Sequence, residues 1–330
     1  MHARAIRTSA LVCGLTMATA FAAYPAHAAS DPYSAFVFST SSATEPTIYN
    51  FIEQATSSLN MTMYELSDTT VENDLISLES SGVDVRVILD QAEKSTNQAA
   101  YTKLEDGGVG VVWSSTSFTY THQKTITIND DESLILSGNL TSEWYTTTRD
   151  YGVFDSDAND VAAIVAVFNA DYKHSSITPS DGDNLLWSPT TAQSRLVTFI
   201  DGATKTLDVE EEEFSDTAVV NAIVARAKAG VKVRVVVEDP SDYSSEVSKV
   251  EAAGGTVVGY SSSTGFYVHA KAMVADYGLS TAAVEVGSMN DTSNSLTANR
   301  ELGIILNDTG VESVVETAFN SDYAGGASAG

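Results

Sequence analysis

His122 and Lys124 stand in one His-x-Lys frame, and His269 and Lys271 stand in another 147 residues later. An imidazole near neutral pH can act as a nucleophile or hand over a proton, and an ammonium beside it can hold an anionic oxygen. Two such pairs brought together could divide attack and proton donation between the rings, with both lysines on the anion. One pair alone is an ordinary surface combination. The chain has five histidines, and His2 and His27 lie in its first 28 residues, so two of the three later ones fall in this frame. The third, His174 in YKHSS, reads as a solvated residue at the end of a helical stretch.

The two frames belong to an internal duplication. Residues 51–90 align without gaps to residues 199–238 at an offset of 148, with sixteen of 40 positions identical, among them Phe51/Phe199, the SDT triplets and Gly82/Gly230. Within a unit the pattern predicts a helix over about 46–58, a strand over 59–66, a helix capped by Asp68 and stopped by Gly82, and a β-branched strand over 83–90. A third helix and the strand GVGVVW follow. Two further strands, YTHQKTITI and SLILSG, are joined by the turn NDDE. Such alternation implies an α/β fold of two duplicated α/β/α layered units, with mixed sheets packed as a pseudo-twofold pair. The Ser-, Pro- and Gly-rich stretch 174–184 marks the boundary, giving repeats over 29–178 and 179–330. On a strand, His and Lys of one frame share a face because side chains alternate.

Residues 1–28 carry Arg4 and Arg7, an apolar run and the small-x-small sequence Ala26-His27-Ala28, the pattern of a cleaved signal peptide. Export to the extracellular or periplasmic space is therefore expected. The one cysteine, Cys13, lies in that leader, which excludes disulfides, thiol catalysis and cysteine-ligated zinc from a processed chain. The formal net charge is −27, and loss of Arg4 and Arg7 would leave −29. Such a surface repels polyanions, since non-specific nucleic-acid binding depends on Lys and Arg.

The doubled frame resembles the phospholipase D superfamily, whose signature is His-x-Lys-x4-Asp followed by Gly-Ser-x-Asn, present twice per site. The second copy is complete, with His269, Lys271, Asp276, Ser288, Asn290 and then Glu301. The first has His122, Lys124, Ser137, Asn139 and Asp150, but Asn129 stands where the family has Asp. The resemblance implies that Asn129 and Asp276 are structural residues of the turn after the strand. It also implies that Asp150 and Glu301 orient the rings, that His122 attacks to form a phosphohistidine, and that His269 donates and later takes a proton. Lys124 and Lys271, with Ser137, Asn139, Ser288 and Asn290, would cradle the phosphoryl oxygens. No metal or other cofactor is implied, because the lysines supply the cationic charge.

The expected substrate is a glycerophospholipid, met at a membrane surface by a monomer whose site lies between its repeats. A nuclease of the same fold and a catalytically silent phosphate-binding module are the competing readings, and nucleic acid is disfavoured by the charge. The aromatics entering the frames, Trp113, Phe118, Tyr120, Tyr260, Phe266 and Tyr267, fit a lipid interface, base stacking or core packing equally. Arg149 and Arg300, each directly before an acidic orienter, are expected in structural ion pairs. In VEEEEF, residues 209–214, a doubly covered strand should not bury Glu210 to Glu213 unpaired. The expectation is that one face opens to water or to a cationic headgroup, with Glu211 and Glu213 on it.

Overall fold

A computed structural model describes residues 31–38 and 44–329, so the leader lies outside the described residues. The first half runs β1 (Tyr33–Val37), α1 (Glu45–Ile52), β2 (Ser58–Met63), α2 (Thr69–Ser81), β3 (Asp84–Leu89), α3 (Lys94–Asp106) and β4 (Gly110–Trp113). It continues with β5 (Thr125–Ile128), β6 (Glu132–Leu136), β7 (Thr148–Arg149), β8 (Tyr151–Asp155) and α4 (Ala158–Tyr172). The second half runs β9 (Leu185–Ser188), α5 (Ala192–Gly202), β10 (Thr206–Glu211), α6 (Thr217–Lys228), β11 (Lys232–Glu238), α7 (Ser244–Ala252) and β12 (Thr256–Tyr260). It ends with β13 (Tyr267–Val268), β14 (Lys271–Ala275), β15 (Ala283–Gly287), α8 (Ser293–Thr297), β16 (Glu301–Leu306), α9 (Thr309–Gly325) and β17 (Ala327–Ser328).

The two sheets repeat one topology. The first is ordered β1-β8-β6-β5-β2-β3-β4, and the second β9-β16-β15-β14-β10-β11-β12 with β17 added at the edge. In each, three strands run parallel and the rest antiparallel, for example β2 with β3 against β2 with β5. The β-branched runs VRVIL and VRVVV supply the interior strands β3 and β11, largely buried on both faces as a covered sheet requires. Local signals fix the helices between them. The carboxylates of Asp68 and Asp216 accept from the first free N–H groups of α2 and α6, and Gly82, at φ +98°, lets the chain leave α2 in a left-handed turn. The edge strands β1 and β9 precede the helix with which the sequence pattern opened each unit.

Helices α1 to α3 cover one face of the first sheet and α5 to α7 the corresponding face of the second, each over its own apolar cluster. A third cluster joins the halves. It combines Ile135, Tyr151 and Val153 of the first sheet, Val284, Val286 and Ile304 of the second, and the inner faces of α4 and α9. No helix among the described residues is long and apolar enough to cross a membrane. His174 is exposed at the end of α4, as expected.

The glutamate run departs from expectation. Glu210 and Glu211 are the last two residues of β10 and both are fully buried, so neither face of the strand opens to water there. The cost of burying a charge is avoided by keeping the proton. Burial pushes both carboxyls well above the usual range, reinforced by Asp322 near Glu210 and by Asp291 and Glu285 near Glu211. Glu285 and Asp291 are themselves shifted up by burial. Asp155, at the end of β8, is pushed up to about 8 by burial and by Asp160 and Asp157 nearby, while a hydrogen bond from the Asp157 backbone opposes the shift. A carboxyl whose folded pKa is raised contributes stability that is fully present below its unfolded pKa and is lost as pH rises through the folded one. Asp155→Asn, which cannot ionise, should therefore gain stability relative to the parent as pH rises from about 4 to about 8, reaching a few kcal/mol at about 1.4 kcal/mol per unit. Thermal melts across that range check it, and a pH-independent difference would refute the assignment.

Candidate active site

Both His-x-Lys frames lie at the mouths of central strands rather than inside them. β5 begins at Thr125 and β14 at Lys271, so His122 and His269 stand just ahead of the strands on which the sequence pattern placed them. The reason is a second set of backbone pairings that cross between the halves. Thr121 forms a parallel bridge with Arg300, and the His122 N–H donates to the Arg300 carbonyl at 2.9 Å. At the equivalent place β13 pairs in parallel with β7, and the His269 N–H donates to the Arg149 carbonyl at 3.2 Å. Each frame is thereby laid against the acidic residue of the opposite half.

The acids consequently orient the rings crosswise, not each within its own repeat. His122 Nδ1 lies 2.8 Å from Glu301 Oε2, and His269 Nδ1 lies 2.8 Å from Asp150 Oδ1. Burial alone would push both carboxyls up, but the partner imidazole and a nearby lysine hold them below the usual range. They therefore stay ionised and fix Nδ1 as the donor, which leaves Nε2 as the working nitrogen of each ring. Burial lowers the pKa of His122, helped by Lys124 and opposed by Glu301. Arg149 and Arg300 form the expected ion pairs, again crosswise: Arg149 with Asp322 of α9, and Arg300 with Asp171 of α4 at 2.8 Å.

Ser137 and Ser288 do not face a phosphate. Ser137 Oγ donates to Asp150 at 2.7 Å and Ser288 Oγ to Glu301 at 2.9 Å, so the serines steady the carboxylates that steady the rings. Ser295 and Asn299, which sequence reasoning missed, hold the other Glu301 oxygen at 2.6 and 2.9 Å. Asn139 and Asn290 do line the cavity, a cleft of 710 Å³ that also takes in both histidines. Lys124 and Lys271 are fully buried, and each ammonium turns back to the carbonyl of the histidine in its own frame. Burial, with Lys271 nearby, lowers the pKa of Lys124 to about 7.

Asn129 and Asp276 take the same turn, at φ +56° and +53°. Asn129 Oδ1 accepts from the N–H groups of Thr56 and Ser57 at 2.8 and 3.0 Å, and the Asp276 carboxylate accepts from those of Thr204, Lys205 and Thr206. Both tie the end of a hairpin strand to the start of β2 or β10, far from the rings. The glutamates sort differently from expectation. Glu213 lines the cavity, but Glu211 is buried in β10 and does not; Glu212 and Glu65, which were not singled out, do. Alternation along a strand would put residues 211 and 213 on one face, but β10 ends at Glu211 and the alternation ends with it.

Glu212 contacts Lys271 Nζ at 2.7 Å and lies 3.5 Å from His269 Nε2. Its counterpart at the repeat offset is Tyr64, whose ring stands edge-on to His122 at 4.5 Å between centroids and 5.1 Å from Lys124 Nζ. Of the six aromatics noted in the sequence, only Phe266 and Tyr267 reach the cavity. Trp113 stacks on Tyr101, Phe118 lies under Arg300, Tyr120 packs on Tyr64 and Tyr260 on Phe266.

This geometry has a match. The family profile described as "Cardiolipin synthase, PLD-like domain" covers residues 48–172 and again 196–323, one match to each half. The chain belongs to this phospholipase D-like family. Its members are phosphodiesterases and phosphotransferases. Among solved structures, polyphosphate kinase from Porphyromonas gingivalis is similar at 14% identity and a TM-score of 0.67, over 88% of this chain and 50% of that one. Phosphatidylserine synthase from Haemophilus influenzae is similar at 14% identity and a TM-score of 0.65, over 85% and 83%. The chain thus spans half the length of the kinase and shares the fold with both. Nuc from Salmonella typhimurium aligns with 44% of this chain at 21% identity and a TM-score of 0.40, over 95% of its own length. No curated protein sequence matches.

Two outcomes follow from the geometry. Glu301→Gln should reduce turnover by about two to four orders of magnitude, as loss of a ring-orienting carboxylate does, with the loss traced to His122 although Glu301 lies in the other half. A double variant with His122→Ala should lose little more than His122→Ala alone; additive losses would show that Glu301 acts independently. Asn129→Asp should raise the melting temperature, because an ionised acceptor strengthens the hydrogen bonds at that turn, and should leave the single-turnover rate unchanged. A faster chemical step without a change in melting would contradict the structural role.

Proposed function

We propose that the chain is a secreted phosphodiesterase of the phospholipase D type that removes the headgroup of glycerophospholipids through a phosphohistidine. The observation that carries this reading is the pair of imidazoles opening on one cavity, each with Nδ1 held by a buried carboxylate and Nε2 left for chemistry. His122 Nε2 attacks phosphorus. As the P–O bond to the headgroup breaks, His269 gives its Nε2 proton to the departing alkoxide. Water then attacks phosphorus, His269 Nε2 takes back a proton, and the P–N bond breaks to release the phosphomonoester. Burial, helped by Lys124, lowers the pKa of His122 from its ordinary value, which suits it to attack as the neutral ring. An alcohol in place of water would give transfer. Lys124, Lys271, Asn139 and Asn290 are the donors for the non-bridging oxygens, and no metal is required.

A lipid is favoured over nucleic acid by the charge of −27 and by the cavity itself, which presents Glu65, Glu212 and Glu213 beside the rings. Trp144 is 53% exposed at the cavity, with Tyr267 near it, a pair suited to the headgroup region of a bilayer. The catalytic groups all come from one chain, so a monomer would suffice for the chemistry, and the leader pattern supports export.

The processed protein should cleave phosphatidylcholine vesicles and leave plasmid DNA intact, with rates unaffected by excess EDTA. His122→Ala and His269→Ala should each reduce turnover by at least about a thousandfold with unchanged melting, because neither ring can do the other's work. DNA cleavage without lipid cleavage would overturn the substrate assignment. Near-normal turnover in either histidine variant would overturn the mechanism.

A further inference from the structure

The histidine, lysine, asparagine and cavity glutamate of one half each have a counterpart in the other. The residue just past β2 and β10 does not. Tyr64 presents an uncharged ring to His122 and Lys124, whereas Glu212 presents a carboxylate to His269 and Lys271. Glu212 is well anchored. One oxygen takes Lys271 Nζ at 2.7 Å and stands 3.5 Å from His269 Nε2, the other accepts from the Tyr267 hydroxyl, and its backbone N–H donates to the Ala270 carbonyl at 3.0 Å. Lys271 and His269 are, with Asn290, the groups that a phosphoryl oxygen would meet on this side of the site. The carboxylate oxygen therefore sits where that oxygen would go.

We propose that Glu212 is a charge-selecting residue: by holding the seat of one phosphoryl oxygen it lets the site accept singly charged phosphodiesters and reject doubly charged phosphomonoesters and free phosphate. The inference rests on reading the cavity as a phosphodiester site. An anion entering the cleft must either displace the carboxylate from Lys271 or sit a few ångströms from it in a partly desolvated place, where like-charge repulsion is weakly screened. That repulsion scales with the charge on the ligand, so a dianion is opposed about twice as strongly as a monoanion. Hydrolysis turns a singly charged diester into a monoester that carries a second ionisable oxygen. Glu212 then opposes the product more than the substrate and favours its departure.

The test is titration calorimetry at pH 8, where inorganic phosphate is largely dianionic, with inorganic phosphate and dimethyl phosphate on the processed protein, on Glu212→Gln and on Glu212→Tyr, which restores the residue of the other half. The parent should bind dimethyl phosphate at least as tightly as inorganic phosphate. Both variants should bind inorganic phosphate about tenfold tighter or more, and dimethyl phosphate only a few-fold tighter, as expected for an interaction that scales with charge. Unchanged or weaker phosphate binding in folded variants would overturn the proposal and leave Glu212 as an anchor for Lys271. A parent that prefers inorganic phosphate to dimethyl phosphate would overturn it even if neither variant folds. If the parent binds neither anion and cleaves no diester, the phosphodiester reading itself fails, a result distinct from a charge-blind but active site.

Discussion

The site depends on backbone pairing between the halves. Two short parallel contacts, β7 with β13 and Thr121 with Arg300, decide which carboxylate meets which ring. Once the chain ahead of His122 is bonded to the chain ahead of Glu301, the ring and the acid have nowhere else to point. The same contacts place Arg149 against α9 and Arg300 against α4, so the ion pairs that anchor the central helices also span the interface. A buried ion pair broken on one side leaves an uncompensated charge. Separation of the halves would expose four such groups together with the third apolar cluster, and this makes docking and site assembly one event.

Burial is the second constraint. The lysines that would bind phosphate are out of contact with water, and each surrenders a hydrogen bond to a carbonyl of its own frame. An ammonium placed so deeply has a strong electrostatic effect on an arriving anion, because little water is present to screen it. It also loses its proton more easily, as at Lys124. The same low-dielectric surroundings keep Glu210, Glu211, Glu285 and Asp291 protonated close by. Acidic composition here is therefore partly an interior property and not only a coat of surface charge.

Much of this was legible in the sequence, because a duplication prints its topology twice. The gap-free match of residues 51–90 to 199–238, the two His-x-Lys frames and the acids after them marked both sheets and the residues that meet at the cavity. What escaped was whatever depends on contacts between the copies. Nothing local says that Glu301 serves His122, since spacing within one repeat suggests the acid of the same half. Ser137 and Ser288 look like phosphate donors until the carboxylates beside them are located in space. In the glutamate run, Glu211 and Glu213 share a face only while the strand lasts, and the strand ends at Glu211, two residues too soon. The edge strands β1 and β9 were missed because they pair with β8 and β16, strands distant in sequence.

Tyr64 and Glu212 occupy equivalent positions in two halves that are covalently one chain. A homodimer of a single such unit, related by a true twofold axis, would carry the same residue at both positions. It would show two tyrosines or two glutamates, and its histidines would be interchangeable. Fusion of the copies removes that obligation, because each half can then change alone while the shared pairings hold the geometry fixed. Unequal partners around a nearly symmetric cavity are thus something only the joined chain can encode, and the two rings can diverge in function without any change of fold.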